Sequence, residues 1–167
     1  MKTGTLRKIV SGGQTGADRA ALDWAIARGV PHGGWCPKGR KAEDGPIPAR
    51  YDLQETDSAN YLVRTEQNVI DSDGTVVFSI KPMLSGGSKK TADFTRKHGK
   101  PLLHLHPGIE TPGQELAAFI RTNGIKLLNM AGSRLSGCRL LRHTGPTEDG
   151  GCSLFAGKSV TQTRHPV

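Results

Sequence analysis

The sequence predicts a single α/β domain with a mostly parallel, doubly wound sheet of about five or more strands and helices on both faces. Three observations predict this fold. Short runs of β-branched residues alternate with helical patterns over the first 131 residues, which is typical of βαβ units. Gly-rich turns follow two of the strands, at the points where helices begin. The length of 167 residues fits one domain rather than two.

Each element of this fold has a local reason in the sequence. Apolar stretches predict five strands, at residues 7–11, 33–36, 74–80, 101–106 and 125–130. Apolar residues at helical spacing predict four helices, at residues 15–28, 58–71, 89–98 and 112–122. Gly29 and Gly99 end the first and third helices, and Thr111 followed by Pro112 begins the fourth.

The strongest local signal is the Gly-rich turn between the first strand and the first helix. Glycines allow its backbone amides to turn inward, and the helix N-terminus adds partial positive charge, so the turn predicts a cradle for an anion. The spacing fits neither G-x-G-x-x-G nor G-x-x-x-x-G-K-[ST], so the dinucleotide and Walker interpretations lose support. The alternative is a tight turn that needs glycine for its geometry alone. The candidate ligand-binding residues are Gly12, Gly13, Gln14, Thr15, Gly16 and Arg19.

A second Gly-rich turn follows the third predicted strand and precedes a helix. Because the carboxyl ends of parallel strands meet at one edge of a sheet, one anionic ligand can span both turns. The alternative is that these glycines only provide flexibility. The candidate ligand-binding residues in and after this turn are Ser85, Gly86, Gly87, Ser88 and Thr91.

Residues 37–57 form a charged, Pro/Gly-rich stretch that is too long for a simple connection, which indicates a functional role. Lys38 and Arg40 are expected to clamp an anion, and Glu43 and Asp44 are suited to accept hydrogen bonds from a sugar or heterocycle. The alternative is a solvated charged loop.

Two polar residues share a face of the predicted second helix. Arg64 and Asn68 are four residues apart, so both can project towards the ligand, although a solvated face is equally compatible with Arg64. Asp18 in the first helix either binds the ligand or complements the helix dipole. His104 and His106 have a spacing that suits a metal, but a third ligand is not evident, so no metal site is assigned. No catalytic Ser/His/Asp set or carboxylate pair is assigned.

Composition narrows the class of ligand. The chain holds 23 Lys and Arg against 15 Asp and Glu, a net charge of +8. These charges are interleaved and aromatic residues make up only 5%, which favours a small anionic ligand over nucleic acid. Neither an apolar run of about 18 residues nor a secretory signal is present, so we expect a cytoplasmic protein with no membrane contact.

The cysteines predict neither a disulfide framework nor a zinc site, because Cys36, Cys138 and Cys152 are odd in number and lack C-x-x-C spacing. Cys36 is either a buried, inert thiol or a reactive or metal-binding thiolate near Lys38.

Several separated motifs resemble one known family, the molybdenum carrier family, over about residues 6–137. They lie at residues 11–20, 33–40, 42–48, 64–69, 71–75, 97–101 and 129–134. The family is similar to the lysine-decarboxylase-like, cytokinin-activating phosphoribohydrolases. The resemblance implies a Rossmann-like domain at residues 1–137 and assembly as a homodimer or homotetramer. It also implies binding of the molybdenum cofactor (molybdopterin), a phosphate-bearing pterin, with molybdoenzymes as partners; a plain phosphate or other oxyanion is the simpler ligand.

One departure from the related hydrolases bears on function. Those enzymes carry P-G-G-x-G-T-x-x-E, whose Glu serves N-glycosidic cleavage, whereas the stretch at residues 85–94 has no Glu three residues after Thr91. A carrier is therefore expected rather than an enzyme. The alternatives are a nucleoside-monophosphate phosphoribohydrolase, with Asp93 or Glu43 in place of the Glu, and a sensor of a nucleotide-like ligand. The Gly-rich residues 138–167 are expected to form an extension that is poorly ordered unless another subunit holds it.

Overall fold

The computed structural model describes residues 6–133, which fold around a five-stranded sheet. In this range the strands β1 to β9 are Lys8–Val10, His32–Gly33, Trp35–Cys36, Lys41–Ala42, Gly45–Pro46, Gln54–Glu55, Gly74–Phe78, Leu102–Leu105 and Leu127–Gly132. The helices α1 to α4 are Ala17–Ala27, Tyr61–Ile70, Gly86–Lys97 and Pro112–Thr122, and a short 3₁₀ turn covers Lys38–Arg40.

The main sheet has the strand order β2-β1-β9-β7-β8, and every neighbouring pair in it is parallel. This confirms the predicted α/β fold. The last strand of the described chain, β9, lies at the centre of the sheet. If β9 is counted first, the order reads 3-2-1-4-5, which is the order of a Rossmann-like sheet.

Helices cover both faces of the sheet. The connections β1-α1-β2 and β7-α3-β8 run in opposite directions along the sheet, so right-handed crossovers place α1 and α3 on opposite faces. Trp24 of α1 shares a buried cluster with Leu116 of α4, and Lys97 of α3 donates a 2.6 Å hydrogen bond to Glu66 of α2. Since both faces are covered, β7 is buried along its whole length, as its continuous apolar sequence predicts.

The predicted second strand at residues 33–36 is in fact two short strands. Gly34 has a φ of 131°, and a Cβ atom there would come within 2.3 Å of the Ser11 carbonyl oxygen. This close approach, which only glycine permits, turns the chain out of the main sheet after β2. The following strand, β3, therefore pairs with β6 in a separate two-stranded sheet.

The segment between β2 and α2 has its own small core. The side chain of Arg40 organises it by donating hydrogen bonds of 2.9 to 3.1 Å to the carbonyl oxygens of Ile47, Pro48, Tyr51 and Leu53. A buried cluster forms beneath these carbonyls, consisting of Leu22, Cys36, Ile47, Tyr51 and Leu53. The segment is therefore a packed unit rather than a solvated loop, and β4 and β5 form an antiparallel hairpin at its edge.

The expected extension at residues 138–167 lies outside the described residues. Within residues 6–133, none of the helices has the length and apolar character needed to cross a membrane.

Two glycine substitutions test the packing at the centre of the sheet. A Cβ atom at Gly132 in β9 would lie 2.4 Å from the Phe78 carbonyl oxygen, whereas one at Gly113 in the first turn of α4 would meet nothing within 4 Å. We expect Gly132→Ala to lower the free energy of unfolding by about 1 to 3 kcal/mol through overpacking. Gly113→Ala should raise it by up to about 1 kcal/mol, because alanine favours the helix. Urea unfolding measures both, and an unchanged stability for Gly132→Ala would contradict the packing.

Candidate functional site

The start of α1 and the end of β7 meet at the carboxyl end of β9. A Cβ atom at Gly132 would lie 3.0 Å from the Cβ of Ala17, the first residue of α1, and equally close to the Cβ of Phe78, the last residue of β7. The amide of Ser133 also donates a 2.9 Å hydrogen bond to the Phe78 carbonyl oxygen. The start of α1 and the end of β7 therefore lie beside each other at the edge where ligands bind in this class of fold.

The turn between β1 and α1 already holds an anion, the carboxylate of Asp18. The amide of Gln14 donates to Asp18 Oδ2 over 3.3 Å, and the amide of Gly12 also donates to this carboxylate. The Asp18 side chain is only 4% exposed. Burial raises the pKa of Asp18, and the Arg64 guanidinium and the two amides oppose that rise. Two of the amides expected to bind a ligand are thus used within the protein.

Arg64 of α2 completes this arrangement from the other side. Its Nη1 atom lies 3.4 Å from Asp18 Oδ2, and a Cβ atom at Gly12 would come within 1.7 Å of Nη1. Only glycine at position 12 leaves room for the guanidinium. The Nε atom of Arg64 is buried and has no hydrogen-bond partner among residues 6–133.

Three further candidates of the first turn contact the β4–β5 hairpin. Gln14 Nε2 donates a 2.9 Å hydrogen bond to the Lys41 carbonyl oxygen, and the Thr15 hydroxyl donates to the Glu43 carboxylate. Arg19 forms a two-pronged ion pair with Asp44, with N–O distances of 2.5 and 2.8 Å. The Arg19 guanidinium lowers the pKa of the Asp44 carboxyl.

The turn before α3 is open. Gly86 and Gly87 are exposed, and a Cβ atom at either would meet nothing within 4 Å. The N-cap residue Ser85 makes no side-chain capping bond, and the first turn of α3 contains no acidic residue. Lys89 and Lys90 follow within the same helix, so the positive end of the helix dipole carries additional positive charge.

The other predicted site residues differ in their surroundings. Arg40 is occupied by four carbonyl oxygens, and Asn68 bonds both the amide and the carbonyl of Trp35, at 2.7 and 3.0 Å. Thr91 donates to the Gly87 carbonyl oxygen within α3, whereas Lys38 is exposed. The hydrogen-bonding groups of Arg40, Asn68 and Thr91 therefore serve the fold.

Two features of this edge were not predicted from the sequence. Ser79, directly after β7, donates a 2.6 Å hydrogen bond to the Lys81 carbonyl oxygen, so His104 Nε2, also 2.6 Å away, is the donor to the Ser79 hydroxyl. Burial, with a smaller effect of His106, lowers the pKa of His104. The second feature that was not predicted is the pairing of the hairpin acids with Thr15 and Arg19. The clustering of charge in both segments was the only sequence signal for this pairing.

The fold and its strand order define a Rossmann-like α/β protein whose central strand is the last of the strands within residues 6–133. The family described as the circularly permutated YpsA SLOG family matches residues 9–145, so the chain belongs to this family. A crystal structure of a "Putative molybdenum carrier protein" from Syntrophus aciditrophicus SB is similar, with 45% identity and a TM-score of 0.76. The similarity covers 83% of this chain and 89% of that one. No curated protein matches the chain. The resemblance to the molybdenum carrier family is thereby confirmed.

Replacing the buried carboxylate tests its role in the first turn. Asp18→Asn leaves Arg64 without its counter-charge in a site where the two side chains are 4% and 13% exposed. We expect a loss of about 3 kcal/mol in the free energy of unfolding, because removing one partner leaves a buried charge uncompensated. Asp93→Asn, which removes a carboxylate from surface pairs with Lys89 and Arg96, is the control and should have little effect. Equal stabilities of the two variants in urea unfolding would contradict this role.

Proposed function

We propose that this protein is a non-catalytic carrier of the molybdenum cofactor and binds the phosphate of the pterin at the N-terminus of α3. The observation that carries the proposal is the open first turn of this helix, where a Cβ atom at Gly86 or Gly87 would face empty space. The first amides of a helix lack intrahelical partners and point at any anion placed before them. No side chain of the protein caps them in the described chain.

The electrostatics of the two Gly-rich turns favour the turn before α3 over the turn before α1 as the phosphate site. In the first turn Asp18 takes the amides of Gly12 and Gln14, so a ligand phosphate there would meet a carboxylate. In the second turn there is no acid, and Lys90 adds positive charge, whereas Lys89 is paired with Asp93. A phosphate bound there also gains from the positive end of the helix dipole.

The residues present fit a phosphate-bearing pterin. The buried Nε atom of Arg64 lacks a partner in residues 6–133, and an uncharged acceptor of the ligand would satisfy it. Lys38 is exposed and free to approach a second oxyanion from the 37–57 segment. The molybdenum is cargo in this proposal and needs no protein ligand, which agrees with the burial of the Cys36 thiol in the small core. The similar structure carries the words "molybdenum carrier" in its description.

The geometry favours the carrier over the phosphoribohydrolase. Asp93, one candidate for the missing glutamate, is held by Lys89 at 3.1 Å and Arg96 at 3.2 Å on the exposed side of α3. The other candidate, Glu43, accepts a hydrogen bond from Thr15. Both carboxylates are therefore already engaged. Assembly as a homodimer or homotetramer and delivery to molybdoenzymes belong to the same proposal.

A pair of valine variants tests the phosphate site. Gly87 and Gly113 are the second residues of α3 and α4, and a Cβ atom at either meets nothing within 4 Å, so both variants should fold. We expect Gly87→Val to weaken binding of inorganic phosphate about tenfold, because the side chain blocks a charge-assisted contact with the amides. Gly113→Val should bind as the parent does. Calorimetric titration measures this, and equal affinities would refute the site. Gly13→Val is a poorer probe, because a Cβ atom at Gly13 would lie 2.5 Å from the Leu53 side chain. Gly13 also has a φ of +71°, which strains a valine.

The ligand itself can be identified directly. Protein purified from its native host under mild conditions should carry the phosphorylated pterin, detected by mass spectrometry and by the fluorescence of its oxidised form. Gly87→Val should carry much less of it, and Gly113→Val the same amount as the parent. A nucleotide in place of the pterin would contradict the carrier and favour the nucleotide-sensing alternative.

A further inference from the structure

The loop between β7 and α3 carries two large apolar side chains on its surface. Ile80 is 58% exposed and Met83 is 81% exposed, whereas the other exposed large hydrophobic residues within 6–133 are 40 to 44% exposed. We call residues 80–83 the apolar tip. Most of the apolar surface of these two side chains therefore remains available for burial against another molecule.

The fold holds this loop in a defined position. The hydroxyl of Ser79, which is 5% exposed, donates a 2.6 Å hydrogen bond to the Lys81 carbonyl oxygen and accepts one of 2.6 Å from His104 Nε2. Pro82 then fixes its own φ and disfavours a helical conformation at Lys81. A loop that is restrained in this way loses little conformational entropy when a partner binds it. The apolar tip is therefore preorganised for contact with a partner.

The surroundings of the apolar tip are basic. Residues 74–92 contain three lysines and no Asp or Glu. Lys81 in the tip and Lys90 in α3 are exposed and form no ion pair within residues 6–133, whereas Lys89 is paired with Asp93. Unpaired positive charge beside apolar surface is complementary to an apolar pocket with an acidic rim.

We propose that the apolar tip docks into an apolar pocket with an acidic rim on the protein that receives the cofactor. The inference rests on the proposed function, because it assigns the surface through which the carrier delivers the pterin. Met83 lies three residues before Gly86, so the chain itself keeps their Cα atoms within about 11 Å of each other. A recipient seated on the tip is thus beside the proposed phosphate site.

Two other occupants fit the tip less well. A second copy of this chain, in a two-fold contact, would bring the lysines beside one tip towards those beside the other, which is repulsive. An anionic membrane would attract the lysines, but the apolar surface is limited to two side chains, much less than the apolar face of a membrane-bound helix. The recipient protein is therefore the occupant that the observations favour.

Calorimetric titration of the cofactor-loaded protein with a cofactor-free molybdoenzyme of the same host tests the docking surface. We expect Met83→Ser and Ile80→Ser each to weaken binding about tenfold, because each removes an apolar anchor from the interface. Lys81→Glu should also weaken binding and reduce its dependence on salt, because it reverses a charge beside the tip. Ile26→Ser is the matched control, since Ile26 is 42% exposed on α1, on the opposite face of the sheet from α3. It should bind as the parent does.

The pterin content of each variant separates docking from cofactor binding. All four variants should carry as much pterin as the parent, measured by the fluorescence of its oxidised form. If Met83→Ser and Ile80→Ser bind the molybdoenzyme as well as the parent does, or if the loaded parent does not bind it, the docking surface is refuted and the carrier stands. A parent that carries no pterin would overturn both the proposed function and this inference.

The same variants distinguish the other occupants. Sedimentation of the parent and of Met83→Ser measures self-association, and sedimentation with phosphatidylglycerol vesicles measures membrane binding. We expect Met83→Ser to change neither. If Met83→Ser loses self-association or vesicle binding while its affinity for the molybdoenzyme is unchanged, the tip binds a second copy or a membrane and the proposal is wrong.

Discussion

The contact between the Asp18 carboxylate, the Arg64 guanidinium and the amides of the first turn determines the rest of the site. A buried carboxylate is stable only when it is paired and hydrogen-bonded, and here a helix on the opposite face of the sheet supplies the cation. The contact fixes α2 against the turn between β1 and α1. It also explains Gly12, because any side chain at that position would occupy the space of the guanidinium.

This contact makes two similar turns differ in whether their amides are already hydrogen-bonded. Both are Gly-rich and both precede a helix, but the Asp18 carboxylate occupies amides of the first, whereas the N-cap residue of the second makes no side-chain capping bond. The strand order brings the strands that precede them close together, since β9 at the centre of the sheet separates β1 from β7 by a single strand. Gly132 at the end of β9 allows Ala17 and Phe78 to approach each other. In the proposed carrier, a small anionic ligand would avoid the internal salt bridge of the first turn and bind at the open helix terminus of the second.

The sequence predicted the main sheet well because its signals are local. The apolar run at β7 and the helical spacing in α1 and α4 depend only on neighbouring residues. The same signals also marked both Gly-rich turns. The division of the second strand was missed, because the turn at Gly34 results from its approach to Ser11 in another strand.

The use of each site residue was harder to predict, since it depends on contacts between distant parts of the chain. Asp18 and Arg64 lie 46 residues apart, and Arg19 and Asp44 lie 25 apart. Arg40 is a residue type that commonly binds anions. Its side chain instead donates to four carbonyl oxygens later in the chain, in a segment whose fold no hydrophobic periodicity indicates. Charge and residue type indicated a candidate site, but not which of its groups the protein itself uses.

An amide-resolved NMR titration of the protein with inorganic phosphate tests the central claim, that the open turn rather than the filled one receives the ligand anion. The account predicts saturable shifts of the Gly86, Gly87 and Ser88 amide signals, with the signals of Gly12 and Gln14 unmoved because Asp18 holds their amides. Shifts at Gly12 and Gln14 without shifts at Gly86 and Gly87 would contradict it.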